Sequence, residues 1–338
     1  MTIVMGLDQH RAQITYDLLD TESGEVRGGR VRPGDRDSFR AFLRRFDGKQ
    51  LEAALEATTG WRFLVEELRA VDAEVHVAEP AETSQRRGPK KRAKTDRTDA
   101  RHLRELLLAG RPPESWIPPE HLLELRSKVR LRHTLAEQRS EWQQRIQAQL
   151  YHHGVPARRQ SLTADNRAWL EGLELTEAAR LQIDVALRMI DQIRAELVSI
   201  ERELRAYARR QPGCRALMAH SGIGELTAVT ILAELGDCRR FGSSRRAVRY
   251  AGLDITVSQS DERRSPGHLS RQGPPALRWP LYEAAQVGRR QASPDRGYYE
   301  QASDRLGSNR ACLAVARKLL KRAYHTLREL GDEALQPA

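Results

Sequence analysis

Lys94-Thr95-Asp96-Arg97-Thr98-Asp99-Ala100 reads as the first turn of a helix that carries two carboxylates three positions apart. That spacing puts both side chains on one helical face, about one turn apart. Two like charges held so close repel each other, and the basic run beside them (Arg86, Arg87, Lys90, Lys91, Arg92, Lys94) relieves this only in part. A divalent cation would relieve it further. The plainer reading is an acidic first turn favoured by the helix dipole. The chain upstream decides between the two.

Thr2 to Leu7 reads as a buried strand ending at Asp8, Gln13 to Leu19 as a second strand and Glu25 to Val31 as a third, after a Ser23-Gly24 turn. Asp37 to Phe46 has helical spacing, with Phe39, Phe42, Leu43 and Phe46 on one face, and Leu51 to Glu56 is a fourth strand. Helix Gly60 to Val71 and strand Glu74 to Ala78 follow, then a stop at Pro80, a basic loop and the helix of Asp96 and Asp99. The order βββαβαβα is the ribonuclease H-like layout, a mixed α/β sheet in which the first strand lies beside the fourth. Asp8 and Glu56 then become neighbours, and Asp96 and Asp99 pack alongside. Each alone is an ordinary strand-end or helix-start residue. Together, four converging carboxylates have one good use, which is to hold two divalent cations, Mg²⁺ or Mn²⁺, that stabilise the attacking and leaving oxygens of a phosphodiester.

The 338 residues suggest two or three domains, and 57 Lys and Arg against 46 Asp and Glu leave a formal net charge of +11. Such an arginine-rich excess points to a polyanionic partner, without separating DNA from RNA. No apolar run is long enough to span a bilayer and no signal peptide is evident, so the expected place is the cytoplasm, with no membrane partner. Cys214, Cys238 and Cys312 form no zinc pattern and read as free thiols.

Pro112-Pro113 and Pro118-Pro119 bracket a linker, after which the chain turns helical. In the second of two long helices, Ile183, Ile190, Leu197 and Leu204 recur every seven residues, and Ala186, Ile193, Ile200 and Tyr207 fall three after each. This predicts an antiparallel coiled-coil hairpin joined through His153 to Arg167, its seam serving either packing within one bundle or a subunit contact. Gly222-Ile223-Gly224 opens an apolar helix; its backbone N–H groups suit phosphate in the manner of a helix-hairpin-helix turn, or it is a plain helix–helix turn. The polar run Thr256 to Gln272, with Ser258, Ser260 and Ser265, reads as a flexible loop, and two helices, Pro275 to Arg290 and Asn309 to Leu330, finish the chain.

These residues resemble transposases of the insertion-sequence 110 and 116/902 type, the bridge-RNA-guided recombinases with a DEDD domain. The resemblance covers nearly the whole length. It rests on Gly6-Leu7-Asp8, Leu55-Glu56-Ala57-Thr58-Thr59-Gly60, Lys94 to Ala100, Gly222-Ile223-Gly224, Tyr250-Ala251-Gly252-Leu253, and Gly267 to Gly273 with Ala276-Leu277-Arg278. It implies a RuvC-like DEDD metal-dependent catalytic domain over 1–110, with Asp8, Glu56, Asp96 and Asp99 on the metals. A linker and coiled-coil helical hairpin would take 111–210, and a mainly α-helical transposase domain 211–338. By its position after Gly252-Leu253, Ser260 matches the family's serine nucleophile, with Ser258 and then Ser265 as alternatives, because Asp261-Glu262 replaces the usual following glycine. Gln9-His10 stands where a small residue and lysine are common; His10 reads as a solvent-facing turn histidine, with phosphate contact as the alternative.

The function implied is a DNA recombinase that cuts and rejoins donor and target DNA through a 5′-phosphoserine, guided by a bridge RNA. It would work as a homo-oligomer, dimer or tetramer, with nucleophile and metals from different subunits. Lys90, Lys91, Arg92, Lys94, Gly222, Gly224, Arg271 and Arg278 are the expected nucleic-acid contacts. Two other functions fit parts of the pattern: a RuvC-like structure-selective endonuclease that activates water, and a non-catalytic nucleic-acid-binding scaffold.

Overall fold

The computed structural model describes residues 2–87, 95–156, 164–256, 258–260, 263–265 and 267–338. The chain divides into two compact units, Met1–Ile117 and Pro118–Ala338.

The first unit is built on strands β1 (Thr2–Gln9), β2 (Ile14–Asp20), β3 (Val26–Val31), β4 (Gln50–Glu56) and β5 (Glu74–Ala78). They lie in the order β3-β2-β1-β4-β5. β2 pairs antiparallel with β1 and β3, whereas β4 runs parallel to β1 and β5. This is the arrangement expected from the element order.

Alternation along the strands assigns the faces. Ile3, Met5 and Leu7 of β1 and Leu51, Ala53 and Leu55 of β4 pack with Phe39, Phe42 and Leu43 of helix α1 (Arg36–Leu43) and Leu64, Val65 and Leu68 of α2 (Trp61–Arg69). Each such fully buried large side chain contributes roughly 1.5–3 kcal/mol. Val4, Ala54 and Ala78 face the other way, against Leu103 and Leu107 of α4 (Asp96–Leu108). Between them α3 (Pro80–Arg86) stands where a stop and loop were expected. Proline ends a helix only from inside it. Here Pro80 is the first helical residue, Glu79 caps it by accepting from the Glu82 N–H at 2.7 Å, and a missing N–H costs nothing there.

Two features hold α4 on the sheet. Gly6 lets it come so close that a Cβ at this position would stand 1.9 Å from the Ala100 carbonyl oxygen. Arg104, on the buried side of α4, is ion-paired through Nε to Asp17 Oδ1 on β2, with both side chains at most 9 % exposed. Removing one partner strands a buried charge. Asp17→Ala is therefore expected to cost about 3–5 kcal/mol in a urea melt, while the apolar pair Asp17→Leu with Arg104→Met recovers most of it. A melt that did not change with Asp17→Ala would show the pair to be solvated.

In the second unit α5 (Glu120–His152) and α7 (Glu177–Arg210) pack antiparallel, with the short α6 (Ala164–Glu171) in their connection. Lys128 meets Glu203, Arg132 meets Glu201, and Gln149 meets Gln182, so the partner number falls as the first rises. Ile183, Ala186, Ile190, Ile193, Leu197 and Leu204 of the heptad seam are buried inside the chain. Helices α8 (Pro212–Met218), α9 (Glu225–Leu235), α10 (Ser244–Tyr250), α11 (Pro275–Ala285), α12 (Arg296–Leu306) and α13 (Ser308–Leu330) complete the unit. Three of these, α8, α10 and α12, were not expected; seven to eleven residues leave too few turns for periodicity to stand out. α9 is the hub. Its Glu234, fully buried, accepts from Nε and Nη2 of Arg130 on α5 at 2.7 and 2.9 Å.

The run read as a flexible loop contains a hairpin of β6 (Ser258–Ser260) and β7 (Arg263–Ser265), with Ser258 opposite Ser265 and Ser260 opposite Arg263. Its base is set by backbone pairing that side-chain composition does not advertise: Ile255 bridges Leu269, and the Thr256 N–H donates to the His268 carbonyl at 2.8 Å. The three cysteines are free and buried, and burial pushes the Cys214 and Cys238 thiols up to about 12.

Candidate metal centre

Parity puts the acidic residues on the α4 side of the sheet. Asp8 follows Val4 and Gly6 by steps of two on β1, and Glu56 follows Ala54 on β4. The parallel register pairs Leu7 with Leu55, so the next residue on each strand, Asp8 and Glu56, ends the two strands side by side. Thr95 caps α4 reciprocally with Thr98, which fixes the helix start at Asp96. With α4 held on Gly6, its first turn brings Asp96 and Asp99 over the strand ends.

Asp8, Glu56, Asp96 and Asp99 line one open cleft of about 740 Å³, together with Gln9, His10, Arg11, Thr58, Thr59 and Phe63. Ligand atoms of Asp8, His10 and Asp96 all lie within 4.8 Å of one another. The His10 ring, half exposed, turns its Nε2 to Asp8 Oδ2 at 3.0 Å and to Asp96 Oδ1 at 3.3 Å. Burial pushes the Asp8 carboxyl above its ordinary range; His10 opposes this, and the neighbouring Asp99 and Asp96 add to it. The cleft thus concentrates negative charge in a partly dehydrated place.

His10, read as a solvent-facing turn histidine, is exposed on that turn, and its ring also lies between two of the acids. Sequence reasoning missed two further participants, Gln13 and Arg87. Gln13 donates from Nε2 to Asp96 Oδ2 at 3.1 Å and accepts from Arg32 on Oε1. His10 and Gln13 sit at the ends of the four-residue turn joining β1 and β2, where they exchange backbone hydrogen bonds. Being next to Asp8 at a hairpin turn was the available signal. Arg87, just past α3, pairs with Asp99 at 2.6 Å; only the unexpected helix brings it there. Among the described residues one other group sets a histidine so near carboxylates, Glu52, Glu74 and His76, and there His76 Nδ1 is bonded to Glu114 at 2.6 Å.

Comparison with known proteins bears on what such a cleft belongs to. Residues 5–154 match a family model of transposases of the DEDD type named for IS110, and residues 214–300 match the model described as the transposase IS116/IS110/IS902 family. A Sinorhizobium fredii protein named transposase y4rJ is 30% identical over 289 residues, which are 75% of this chain and 71% of the relative. The chain belongs to the IS110/IS116/IS902 transposase family. A second Sinorhizobium fredii protein, named transposase y4qE, is 31% identical over 202 residues, 59% of this chain and 49% of its own length. This chain therefore spans about half of that relative. The transposase for insertion sequence element IS1111A of Coxiella burnetii is 30% identical over 122 residues, 35% of this chain and 34% of the relative.

As a DEDD-type member of the IS110 family, the chain has a RuvC-like first unit, and that type implies a divalent cation. The donors fit one: oxygen-rich, partly buried, which with the neighbouring acids raises the Asp8 pKa, and open on one side to solvent. The second family match covers Gly222, Gly224, Ser260, Arg271 and Arg278. Gly222 has a φ of +91°, and a Cβ there would stand 2.5 Å from the Ala284 carbonyl of α11, so close packing explains this glycine. Gly224 is exposed and caps α9, whose first residue Glu225 is paired with Arg209 at 2.6 Å. Arg271 is exposed, at a φ of +52°. Arg278 donates to the Gly273 carbonyl at 2.7 Å and so ties down the Gly267 to Gly273 turn from beneath. The side chains of Ser260, Ser258 and Ser265, and Lys90, Lys91, Arg92 and Lys94 altogether, lie outside the described residues. No helix among the described residues is long and apolar enough to cross a membrane.

Proposed function

We propose that this chain is a DNA transposase that cuts and rejoins donor and target DNA through a metal-assisted 5′-phosphoserine intermediate. The observation that carries the reading is the gathering of Asp8, Glu56, Asp96 and Asp99 around one cleft, in a chain whose residues 214–300 match the transposase IS116/IS110/IS902 family model. Divalent cations, Mg²⁺ or Mn²⁺, bound by these four carboxylates would supply charge stabilisation at the phosphate and help ionise the attacking hydroxyl. The protein's own part is to orient the acids. Gln13 fixes Asp96 by its hydrogen bond, Arg87 fixes Asp99 by its charge, and the Thr95 cap sets both on the first turn.

The Ser260 oxygen attacks phosphorus as its proton departs, and the 3′ oxygen leaves with the bonding pair and takes up a proton. The new phosphoester conserves the bond energy of the old one, so rejoining is the same displacement run in reverse by another strand's 3′ hydroxyl. The serine and the carboxylates are proposed to come from different subunits. A homo-oligomer, dimer or tetramer, is the proposed form, the coiled-coil pairing of α5 and α7 is its proposed scaffold, and the basic run from Lys90 to Lys94 with Arg271 its proposed DNA and RNA contacts. The Gly222-Ile223-Gly224 turn would meet phosphate through the N–H groups beside Gly224. The guide is proposed to be a bridge RNA, and the site of action the cytoplasmic nucleoid.

The test is to incubate the full chain with RNA from its flanking region, end-labelled donor DNA and Mg²⁺, then to map any DNA-linked peptide. A 5′ adduct on Ser260 that is lost in Ser260→Ala and in Asp99→Asn is the expected result. Free 5′ phosphate with no adduct would move the assignment to a water-activating nuclease. Binding without any cleavage would favour the scaffold, and adduct formation without added RNA would remove the guide.

A further inference from the structure

We infer that His10 is a nitrogen ligand of the cation held by Asp8 and Asp96, and that it shifts the preference of this centre from Mg²⁺ toward Mn²⁺. The inference rests on the metal-assisted reading above and names a donor that the four-carboxylate description lacks. Three facts carry it. The Nε2 atom faces two carboxylate oxygens of different elements, at 3.0 and 3.3 Å. One ring nitrogen has one lone pair or one proton, so it cannot serve both oxygens well as a simple hydrogen-bond donor. And adjacent ligands of a six-coordinate ion with bonds of about 2.1 Å stand about 3.0 Å apart, near the 3.0 and 3.3 Å between Nε2 and the two oxygens.

The imidazole also stands where a ligand can be spared by the fold. Its side chain is half exposed, and it lies on the four-residue turn between β1 and β2, outside the packed core of the unit. Imidazole nitrogen suits Mn²⁺ and the later divalent ions, whereas Mg²⁺ prefers oxygen donors and water. Replacing one oxygen or water in the coordination sphere by His10 therefore strengthens Mn²⁺ binding more than Mg²⁺ binding. The rest of the sphere stays as the carboxylates leave it.

Mn²⁺ alone is the probe, titrated into the full chain and followed by electron paramagnetic resonance, with pulsed detection of ¹⁴N coupling. Wild type is expected to show coupling from a directly bound imidazole. His10→Gln should lose that coupling and bind Mn²⁺ about ten- to a hundredfold more weakly, while its Mg²⁺ affinity, read by competition, changes by less than about threefold. Coupling that persists in His10→Gln and disappears in His76→Gln would assign the nitrogen to the Glu52–Glu74 group and overturn the inference. Bound Mn²⁺ without nitrogen coupling in wild type would overturn it too, and would leave the four-carboxylate centre standing. If Asp8→Asn binds both ions as wild type does, the metal-assisted reading itself fails.

Discussion

Asp8→Asn is expected to cut metal-dependent strand cleavage by about a hundred- to a thousandfold or more, the scale on which loss of one preorganised charge-stabilising group slows an enzyme. The metal-free variant should nonetheless melt no lower than wild type. Burial raises the pKa of Asp8, His10 opposes it, and Asp99 and Asp96 add to the rise. A carboxyl whose pKa is higher folded than unfolded binds its proton more tightly in the folded state. Its ionisation therefore costs stability above the ordinary range near 3.8, and the cost is relieved as the pH falls through the raised value. Asparagine has the shape without the charge and avoids that cost at neutral pH. The matching experiment is a melt with and without Mn²⁺. At a hundred times Kd, wild type should gain about 2.7 kcal/mol and the variant far less. A variant that melts well below wild type without metal would mean Asp8 stabilises the fold, and one that cleaves normally would remove it from the chemistry.

Gly6→Ala is expected to destabilise the first unit by about 3 kcal/mol or more, at or beyond the upper end for overpacking. The added carbon would meet the Ala100 carbonyl oxygen at 1.9 Å and the Arg104 amide nitrogen at 2.6 Å, both backbone atoms that cannot swing aside. α4 must lift, and Asp96 and Asp99 lift with it. Loss of Mn²⁺ affinity should accompany the lower urea midpoint. Ala100→Gly should not rescue either, because the obstruction is the carbonyl and not the alanine methyl. A midpoint equal to wild type would show that the helix has room to move.

Most of the first unit could be read from the chain itself because its strands are short, mostly apolar runs, such as Thr2 to Leu7 and Leu51 to Leu55, set apart by turn residues such as Ser23-Gly24 and Asp47-Gly48. Ile3, Met5 and Leu7 mark one face of β1, and Asp8 falls on the other. That Asp8, Glu56, Asp96 and Asp99 come to one cleft was legible from their places near two strand ends and in the first turn of a helix. The contacts that His10, Gln13 and Arg87 make with these acids were not, because they depend on where a turn and a short helix aim a side chain, which periodicity does not encode. α3 was obscured by Pro80, which has opposite meanings inside a helix and at its first residue. The hairpin at Ser258 to Ser265 was hidden by a polar composition typical of loops; backbone bonds at Ile255–Leu269 and Thr256–His268 organise it instead. The heptad spacing was legible, and Ile183, Ala186 and Ile190 pack inside the chain with Ile146 and Leu150 of α5 and Leu170 of α6.

The face assignment of β1 and β4 has a further consequence for which length changes the chain tolerates. One residue added or lost within either strand would exchange the two faces, turning Leu7 or Leu55 into the cleft and Asp8 or Glu56 into the apolar core. No side-chain adjustment repairs that exchange. Between Val31 and Gln50, by contrast, an insertion leaves both parities untouched, since β4 is set in register by its neighbours and not by the length of its approach. Relatives should thus vary freely in the segment around α1 while keeping β1 and β4 to the residue. A library of single-codon insertions scored for cleavage would show this as two silent gaps, one in each strand, flanking a permissive stretch.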